Sequence, residues 1–426
     1  MTALIGGWTE QPGFPLLNVN ARCRRGRTEV EIAQERFTAK AMKQIAAMWQ
    51  VPVVVSAGRQ SQQILLGREP QRVSFPGCKA VVANGGDTGY YRVQYNAEAM
   101  ARLRAEFAQL PAVERSGLIA DTFALARAGR IGFVEYFTLL ERLRAGAGGA
   151  KTQSMEREGA IWEQVVEGLT FLDETFHGTP TQARLRAHAR GVLAPVLAHL
   201  GWQPRAQDDL AALRLRSRLI DALGAFDDRA TIERAQKLLD GGRGEQRLPA
   251  SIREGVIRTA ARHADDATFE WLRQRLREAG NQEDDYLYGG ALMRVRDPKH
   301  VQRVLDLTLT DEWRPTSAAY YASHIGESSG HPELARAFVR EHFVRLAAKA
   351  SDWSRSWLLP GAYAGLSDEA AADELLGEQE KRLGADARHP TGPAAQVAAT
   401  IRERAAVRAR EAEQLEVWLR NRTRAP

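Results

Sequence analysis

Metal-binding sequence patterns are missing from this chain. None of its nine histidines is followed by glutamate with a second histidine four places on. That H-E-x-x-H spacing puts two imidazoles on one helix face, within reach of a single zinc. His188 and His199 lie among alanine, leucine and valine, which reads as surface or packing rather than ligation. No G-x-S-x-G nucleophile elbow occurs. The Ala145-Gly146-Ala147-Gly148-Gly149-Ala150 stretch lacks the Gly-Lys-Ser/Thr ending of a phosphate loop and follows no strand, so it reads as a helix–helix connection. Cysteine is limited to Cys23 and Cys78, too few for a disulfide framework. One bridge could form, but two free thiols are expected, and Cys78 has no base beside it to activate it. No uninterrupted apolar run approaches the roughly 18 residues of a membrane span. The first residues also lack the basic start and long apolar stretch of a secretory signal. The expectation is a soluble chain with no membrane span, in a compartment set by whatever precedes it.

What is present is ordinary globular material. At 426 residues, with 44% hydrophobic and 26% charged, the chain can bury a large core and should divide into two or three domains. A formal charge of +6 raises the question of nucleic acid. The arginines, however, are interleaved with acids, as in Arg340-Glu341 and Arg402-Glu403-Arg404, which describes solvated helix faces rather than a nucleic-acid surface.

The first hundred residues read as strands. Residues 16–23 and 28–37 alternate apolar and polar side chains around an Arg24-Arg25-Gly26-Arg27 turn, which is a hairpin signal. Shorter β-type runs follow at 51–56, 63–66, 72–75 and 81–83. The Asn84-Gly85-Gly86-Asp87 turn then leads into a last strand at 89–95. A small antiparallel β-sandwich is predicted. Residues 39–49 fit it poorly and read as a helix or an insertion.

From Asn96, a good helix N-cap, amphipathic units succeed one another: 97–110, 116–127, 131–143, 160–171, 182–200, 208–223, 230–239, 251–263, 269–279 and 284–295. Further units lie at 300–309, 317–325, 332–350, 368–383 and 396–418. No strict repeat is visible. The expectation is a large all-α curved superhelix of irregular paired helices, HEAT/armadillo-like. The acidic run Glu283-Asp284-Asp285 opens one of these units, where carboxylates favour the positive end of the helix dipole.

Two segments are more specific. They are Trp8-Thr9-Glu10-Gln11-Pro12-Gly13-Phe14-Pro15 and Asn84-Gly85-Gly86-Asp87-Thr88-Gly89-Tyr90-Tyr91-Arg92-Val93-Gln94-Tyr95, with Gln34-Glu35-Arg36-Phe37 between them. Together they resemble the end of the catalytic domain and the β-sandwich of the aminopeptidase N family of gluzincin zinc aminopeptidases, in the style of the puromycin-sensitive and endoplasmic-reticulum enzymes. The helix Leu118-Ile119-Ala120-Asp121-Thr122-Phe123-Ala124-Leu125-Ala126 resembles one in the same family, and the similarity continues loosely to the C-terminus.

The resemblance implies a division into 1–15 (end of a catalytic domain), 16–96 (β-sandwich) and 97–426 (α-helical bowl). It implies a chain that lacks the family's zinc motif, exopeptidase loop and catalytic tyrosine, all of which belong upstream of Trp8. Such a chain would need no cofactor, the zinc belonging to the parent enzyme, and alone would be inactive. Its expected partners are the N-terminal catalytic portion of the same aminopeptidase and peptide substrates, which the bowl encloses and limits in size. Its start inside the motif that closes the catalytic domain favours this over a stand-alone helical scaffold. No catalytic residue is expected. Arg294, at the end of a helix where some relatives carry an inward-facing arginine, is the one candidate for peptide binding, through the terminal carboxylate. An ordinary helix C-terminal cation is the alternative.

Overall fold

A computed structural model describes residues 2–39, 47–147, 159–384 and 391–423. The segment 40–46, most of the stretch that fitted the sandwich poorly, lies outside them, as does 148–150 of the glycine-rich connection. The structure divides into two compact units, Met1–Val165 and Val166–Pro426.

In the first unit a short helix α1 (Thr2–Thr9) precedes seven strands: β1 (Pro15–Arg24), β2 (Arg27–Arg36), β3 (Val51–Ala57), β4 (Gln60–Leu66), β5 (Gln71–Pro76), β6 (Val81–Val82) and β7 (Arg92–Tyr95). They form two sheets, ordered β5-β2-β1-β7 and β4-β3-β6. The β1–β2 hairpin pairs Leu17 with Gln34 and Val19 with Ile32, the register implied by the period-two pattern. Leu17, Val19, Ala21, Val30 and Ile32 from one sheet meet Val51, Val53 and Val55 from the other, with Trp49 and Phe75 between them. One pairing departs from the antiparallel expectation: β7 lies parallel to β1. The chain comes back to the sheet edge only after five intervening strands, so a hairpin cannot set its direction.

The cysteine expectation is corrected. Cys23 at the end of β1 and Cys78 beyond β5 are disulfide-bonded, with Cα atoms 5.3 Å apart. The bonds from Gly77 N to Gly26 O (2.8 Å) and from Thr28 Oγ1 to Gly77 O (2.8 Å) bring that connection against the hairpin turn. This tertiary contact is invisible to residue spacing.

Helices α2 (Ala97–Glu106), α3 (Ala112–Arg127), α4 (Phe133–Ala147) and α5 (Gly159–Thr175) follow, and the unit boundary falls inside α5. The second unit continues with α6 (Pro180–Leu200), α7 (Leu210–Ala225), α8 (Arg229–Leu239), α9 (Ala250–Arg262), α10 (Asp266–Arg277) and α11 (Gln282–Leu292). It ends with α12 (Pro298–Thr308), α13 (Pro315–Ser329), α14 (Pro332–Lys349), α15 (Asp352–Tyr363), α16 (Glu369–Leu383) and α17 (Pro393–Thr423). Among the described residues no strand follows β7, and no helix is long and apolar enough to cross a membrane.

Many starts carry a side-chain cap. Asn96, Asp209, Asp228, Asp265, Asn281, Asp297, Ser351 and Asp368 each accept from a backbone N–H of the first turn. Helices α7, α9 and α11 pack in succession, as do α13, α15 and α17, with the intervening helices laid against them in pairs. The last helix returns to the second helix of its unit, where Glu416 binds Arg184 at 2.8 Å and Thr181 at 3.3 Å.

Candidate functional site

The sequence motifs of the first unit converge, and their roles are structural. Asn84 closes its own loop: its amide donates to Asp87 Oδ1 at 3.0 Å and Gly89 O at 3.2 Å, and its Oδ1 accepts from Gly89 N at 2.9 Å. A Cβ on Gly89 would stand 2.0 Å from the Tyr91 ring, so only glycine fits. The Tyr91 hydroxyl donates to Ala83 O, and the Tyr95 hydroxyl accepts from Ala83 N, both at 3.0 Å. Gln34 bridges the two sheets, donating to Trp49 O at 2.7 Å and Gly67 O at 2.8 Å and accepting from Trp49 N at 3.0 Å. Trp8 packs on Trp49 and Tyr90, and Phe14 stacks on Phe37, so the first motif is folded onto the sandwich.

The Tyr-Tyr-Arg-Val motif also meets the Leu-Ile-x-Asp helix. Asp121 accepts from Arg92 Nη1 at 3.1 Å and from Val93 N at 3.0 Å. Burial pushes the Asp121 carboxyl up to about 7, and Arg92 only partly offsets it. A perturbed carboxyl can mark a catalytic site, but this one is consumed in holding α3 to β7.

In the second unit a cavity of about 440 Å³ opens among α5, α6, α7, α9 and α13 and the segment after α11. Its lining is dominated by charge: Glu167, Asp173, Glu174, Asp221 and Glu327 against Arg186, Arg218, Arg262, Arg294 and Arg296. Most of these groups neutralise one another. Arg186 binds Asp173 through two nitrogens at 2.7 and 2.9 Å and reaches Asp227 at 2.7 Å. Arg296 takes the other oxygen of Asp227. Arg262 binds Asp221 at 2.5 Å. Burial works to raise the Asp221 carboxyl, yet the guanidiniums of Arg262, Arg294 and Arg258 outweigh it and hold it at about 2.

Arg294, the candidate from the sequence, lines this cavity. It follows the C-cap residue of α11, and its Nη1 donates back to Gly290 O at 2.6 Å. Among the described residues no carboxylate lies within ion-pair distance of it. Burial lowers its pKa to about 10, with Asp221 pulling up and Arg258 and Arg262 pulling down. It therefore stays charged at neutral pH with hydrogen-bonding capacity to spare. A guanidinium in that condition is a receptor for a carboxylate.

Across the cavity Glu174 and Glu327 share one guanidinium, that of Arg404, at 2.5 and 3.0 Å. Burial and the neighbouring Glu327 charge push Glu174 up to about 7 against that cation. His177 is kept neutral chiefly by burial. Among the described residues lining the cavity, Ser329 Oγ accepts from His331 N at 3.2 Å, a contact inside its own turn. The arrangement presents both signs of charge to a ligand.

Reading the sequence missed Glu174, Asp221 and Glu327, because no local pattern unites residues from α5, α7 and α13. The solvated face expected for Arg402-Glu403-Arg404 is corrected at Arg404, which α17 buries against Glu174 and Glu327. Other sequence candidates resolve as structure. The His188 ring packs edge-on against Trp418. Glu283, Asp284 and Asp285 form the first turn of α11, where Asp285 also accepts from Ser317 at 2.8 Å and Tyr321 at 3.1 Å. Among the described residues no group of three or more His, Cys, Asp or Glu could hold a metal ion. With no H-E-x-x-H in the sequence either, the residues present do not fit the zinc centre implied by the resemblance.

Comparison with known proteins agrees with the motifs. The family model described as ERAP1-like C-terminal domain matches residues 80–383. Aminopeptidase M1 of Arabidopsis thaliana is 25% identical over 407 residues, covering 89% of this chain and 44% of that protein. Aminopeptidase M1-A of Oryza sativa subsp. japonica is 25% identical over 359 residues, covering 79% and 39%. The puromycin-sensitive aminopeptidase of Caenorhabditis elegans is 27% identical over 251 residues, covering 56% and 25%. The chain spans less than half the length of each of these relatives.

Proposed function

We propose that this chain, which belongs to the ERAP1-like C-terminal domain family, is the substrate-enclosing portion of a zinc aminopeptidase that removes N-terminal residues from peptides. In that reading residues 1–15 close a catalytic domain, 16–96 form the β-sandwich domain and 97–426 the helical domain. The zinc and its general base would belong to the N-terminal catalytic portion, where the metal would supply Lewis-acid activation for peptide hydrolysis. No step of that chemistry runs through the residues of this chain. Their work is to hold the far end of a peptide, so that only substrates of suitable length place their N-terminus for cleavage. Binding energy from such remote contacts can be spent at the transition state.

The observation that carries the reading is Arg294: a charged guanidinium in a cavity, with no carboxylate partner of its own among the described residues. A peptide's terminal carboxylate supplies that partner, presenting two oxygens to two parallel N–H groups.

The test is calorimetric titration of the chain with one peptide as its free acid and as its amide. The acid should bind about tenfold tighter, since a hydrogen bond to a charged group is worth about 1.5–3 kcal/mol and each 1.4 kcal/mol is tenfold. Arg294→Ala should bring the acid down to the amide's affinity. Equal affinities for acid and amide in the unaltered chain would overturn the assignment.

A further inference from the structure

We propose that the cavity selects peptides ending in a basic residue, taking the terminal carboxylate at Arg294 and the side-chain cation at Glu174 and Glu327. The proposal rests on the carboxylate role of Arg294 given above and adds the class of C-terminal side chain.

The charges lining the cavity are sorted by helix. Four of its five guanidiniums, those of Arg218, Arg262, Arg294 and Arg296, come from α7, α9 and the segment after α11. Four of its five carboxylates, those of Glu167, Asp173, Glu174 and Glu327, come from α5 and α13. The cavity therefore has a cationic wall and an anionic wall.

Internal pairing leaves a remainder on each. On the cationic wall Arg262 is matched to Asp221, Arg296 to Asp227 and Arg218 to Glu167 of the opposite wall at 3.7 Å, which leaves Arg294. On the anionic wall Asp173 is matched to Arg186. Among the described residues Glu174 and Glu327 have only Arg404 as an ion-pair partner, so two carboxylates face one guanidinium. Arg404 is itself buried and cannot turn away to serve one of them alone. Both carboxylates are half-buried, with side chains 29% and 34% exposed, and two like charges sharing one cation stay under-compensated until a further counter-charge arrives.

A single ligand residue that carries an anion and, along a flexible stem, a cation completes both walls. A C-terminal lysine or arginine is such a residue. A C-terminal glutamate would add a third carboxylate to Glu174 and Glu327, and a leucine would leave them as they are.

The arrangement has a proton signature. Glu174 faces Asp173 on its own helix, Glu327 on α13 and Arg404 on α17; burial and the Glu327 charge hold its carboxyl up to about 7. A cation brought to the pair stabilises the ionised form, so a lysine-ended peptide expels part of a proton near pH 7 and a leucine-ended peptide does not.

Four peptides of one sequence, ending in lysine or leucine and each prepared as acid and as amide, are titrated into the full chain. Titrations near pH 7 are repeated in buffers of different ionisation enthalpy, so that the heats report proton release. The lysine acid should bind about tenfold tighter than the leucine acid, the yield of one well-placed charge-assisted contact, and should alone release protons. Glu327→Gln, which leaves the Arg404–Glu174 pair in place, should bring the lysine-to-leucine affinity ratio towards one and abolish the proton release. Should that variant fail to fold, the peptide series on the unaltered chain decides alone. Acids that outbind amides with lysine equal to leucine overturn the basic-residue selectivity while leaving the carboxylate grip intact. Acids no tighter than amides remove both.

Discussion

Arg216→Ala should lower the unfolding free energy of the chain by about 3–5 kcal/mol, the usual cost of stranding one member of a buried ion pair. Arg216 and Asp208 are bonded at 2.6 Å with side chains 0% and 1% exposed. The same guanidinium donates to Gly201 O at 2.9 Å and Leu200 O at 3.2 Å, joining the end of α6 to α7 through the loop between them. Its removal leaves the Asp208 carboxylate without its cation in the interior and two carbonyls without their donor. The pair is also incompletely satisfied, since among the described residues Arg216 Nη1 and Asp208 Oδ1 have no hydrogen-bond partner. Replacing both residues together, Arg216→Met with Asp208→Leu, should therefore cost less than Arg216→Ala alone. Denaturant unfolding of the three proteins decides the matter. A single variant within 1 kcal/mol of the unaltered chain, well under the range for a stranded charge, would mean that the ion pair does not hold this corner.

Asp121→Ala should cost the first unit about 2–3 kcal/mol, because Arg92 loses its anion and the buried Val93 N–H a carboxylate acceptor. The sign of the accompanying pH effect follows from the raised carboxyl. Between about 4, where a free aspartate ionises, and about 7, the folded chain keeps a proton that the unfolded chain has lost. Stability from this group accordingly falls as pH rises through that window and is level above it. Asp121→Asn, which mimics the protonated carboxyl, should flatten this part of the curve. Glu174, also held up at about 7, adds a slope of the same sign in the second unit. A melting temperature of the unaltered chain that rises from pH 4 to pH 7, with Asp121→Asn rising in parallel, would show that neither buried carboxyl governs the profile.

The parts of the fold legible in the sequence are those fixed by near neighbours. The β1–β2 hairpin follows from alternation around a glycine turn, and most helix starts follow from Asp, Asn or Ser caps. Helix α15 was not legible, because Leu358-Leu359-Pro360-Gly361 reads as a stop. The structure resolves this in tertiary terms. Proline 360 has no N–H for the Ser356 carbonyl, and Gln379 Nε2 donates to that carbonyl instead, at 3.0 Å. Gly361 lets α15 approach α13, since a Cβ there would lie 2.9 Å from Ser323 Cβ.

The candidate site divides in the same way. Arg294 was reachable through the family resemblance, which carried a position rather than an environment. Glu174, Asp221, Glu327 and Arg404 are brought together by helix stacking over more than half the chain, and nothing in their flanking residues marks them. The motifs that identify the family most sharply, around Trp8, Gln34 and Asn84–Tyr95, act in the folding of the sandwich instead of in ligand binding. Their specificity comes from close packing, in which Gly89 admits no side chain and Gln34 satisfies three backbone groups in the core.

The most direct test of the central claim compares a long peptide with an aminoacyl arylamide. Both are hydrolysed by the N-terminal catalytic portion of the same aminopeptidase, with and without this chain. Only the peptide extends far enough to reach a distal grip, so its kcat/KM should rise on addition of the chain well beyond any change for the arylamide, and the two portions should co-elute on size-exclusion chromatography. Equal responses from the two substrates, or two portions that elute apart and leave each other's rates untouched, would contradict the assignment of this chain as the peptide-gripping part of the enzyme.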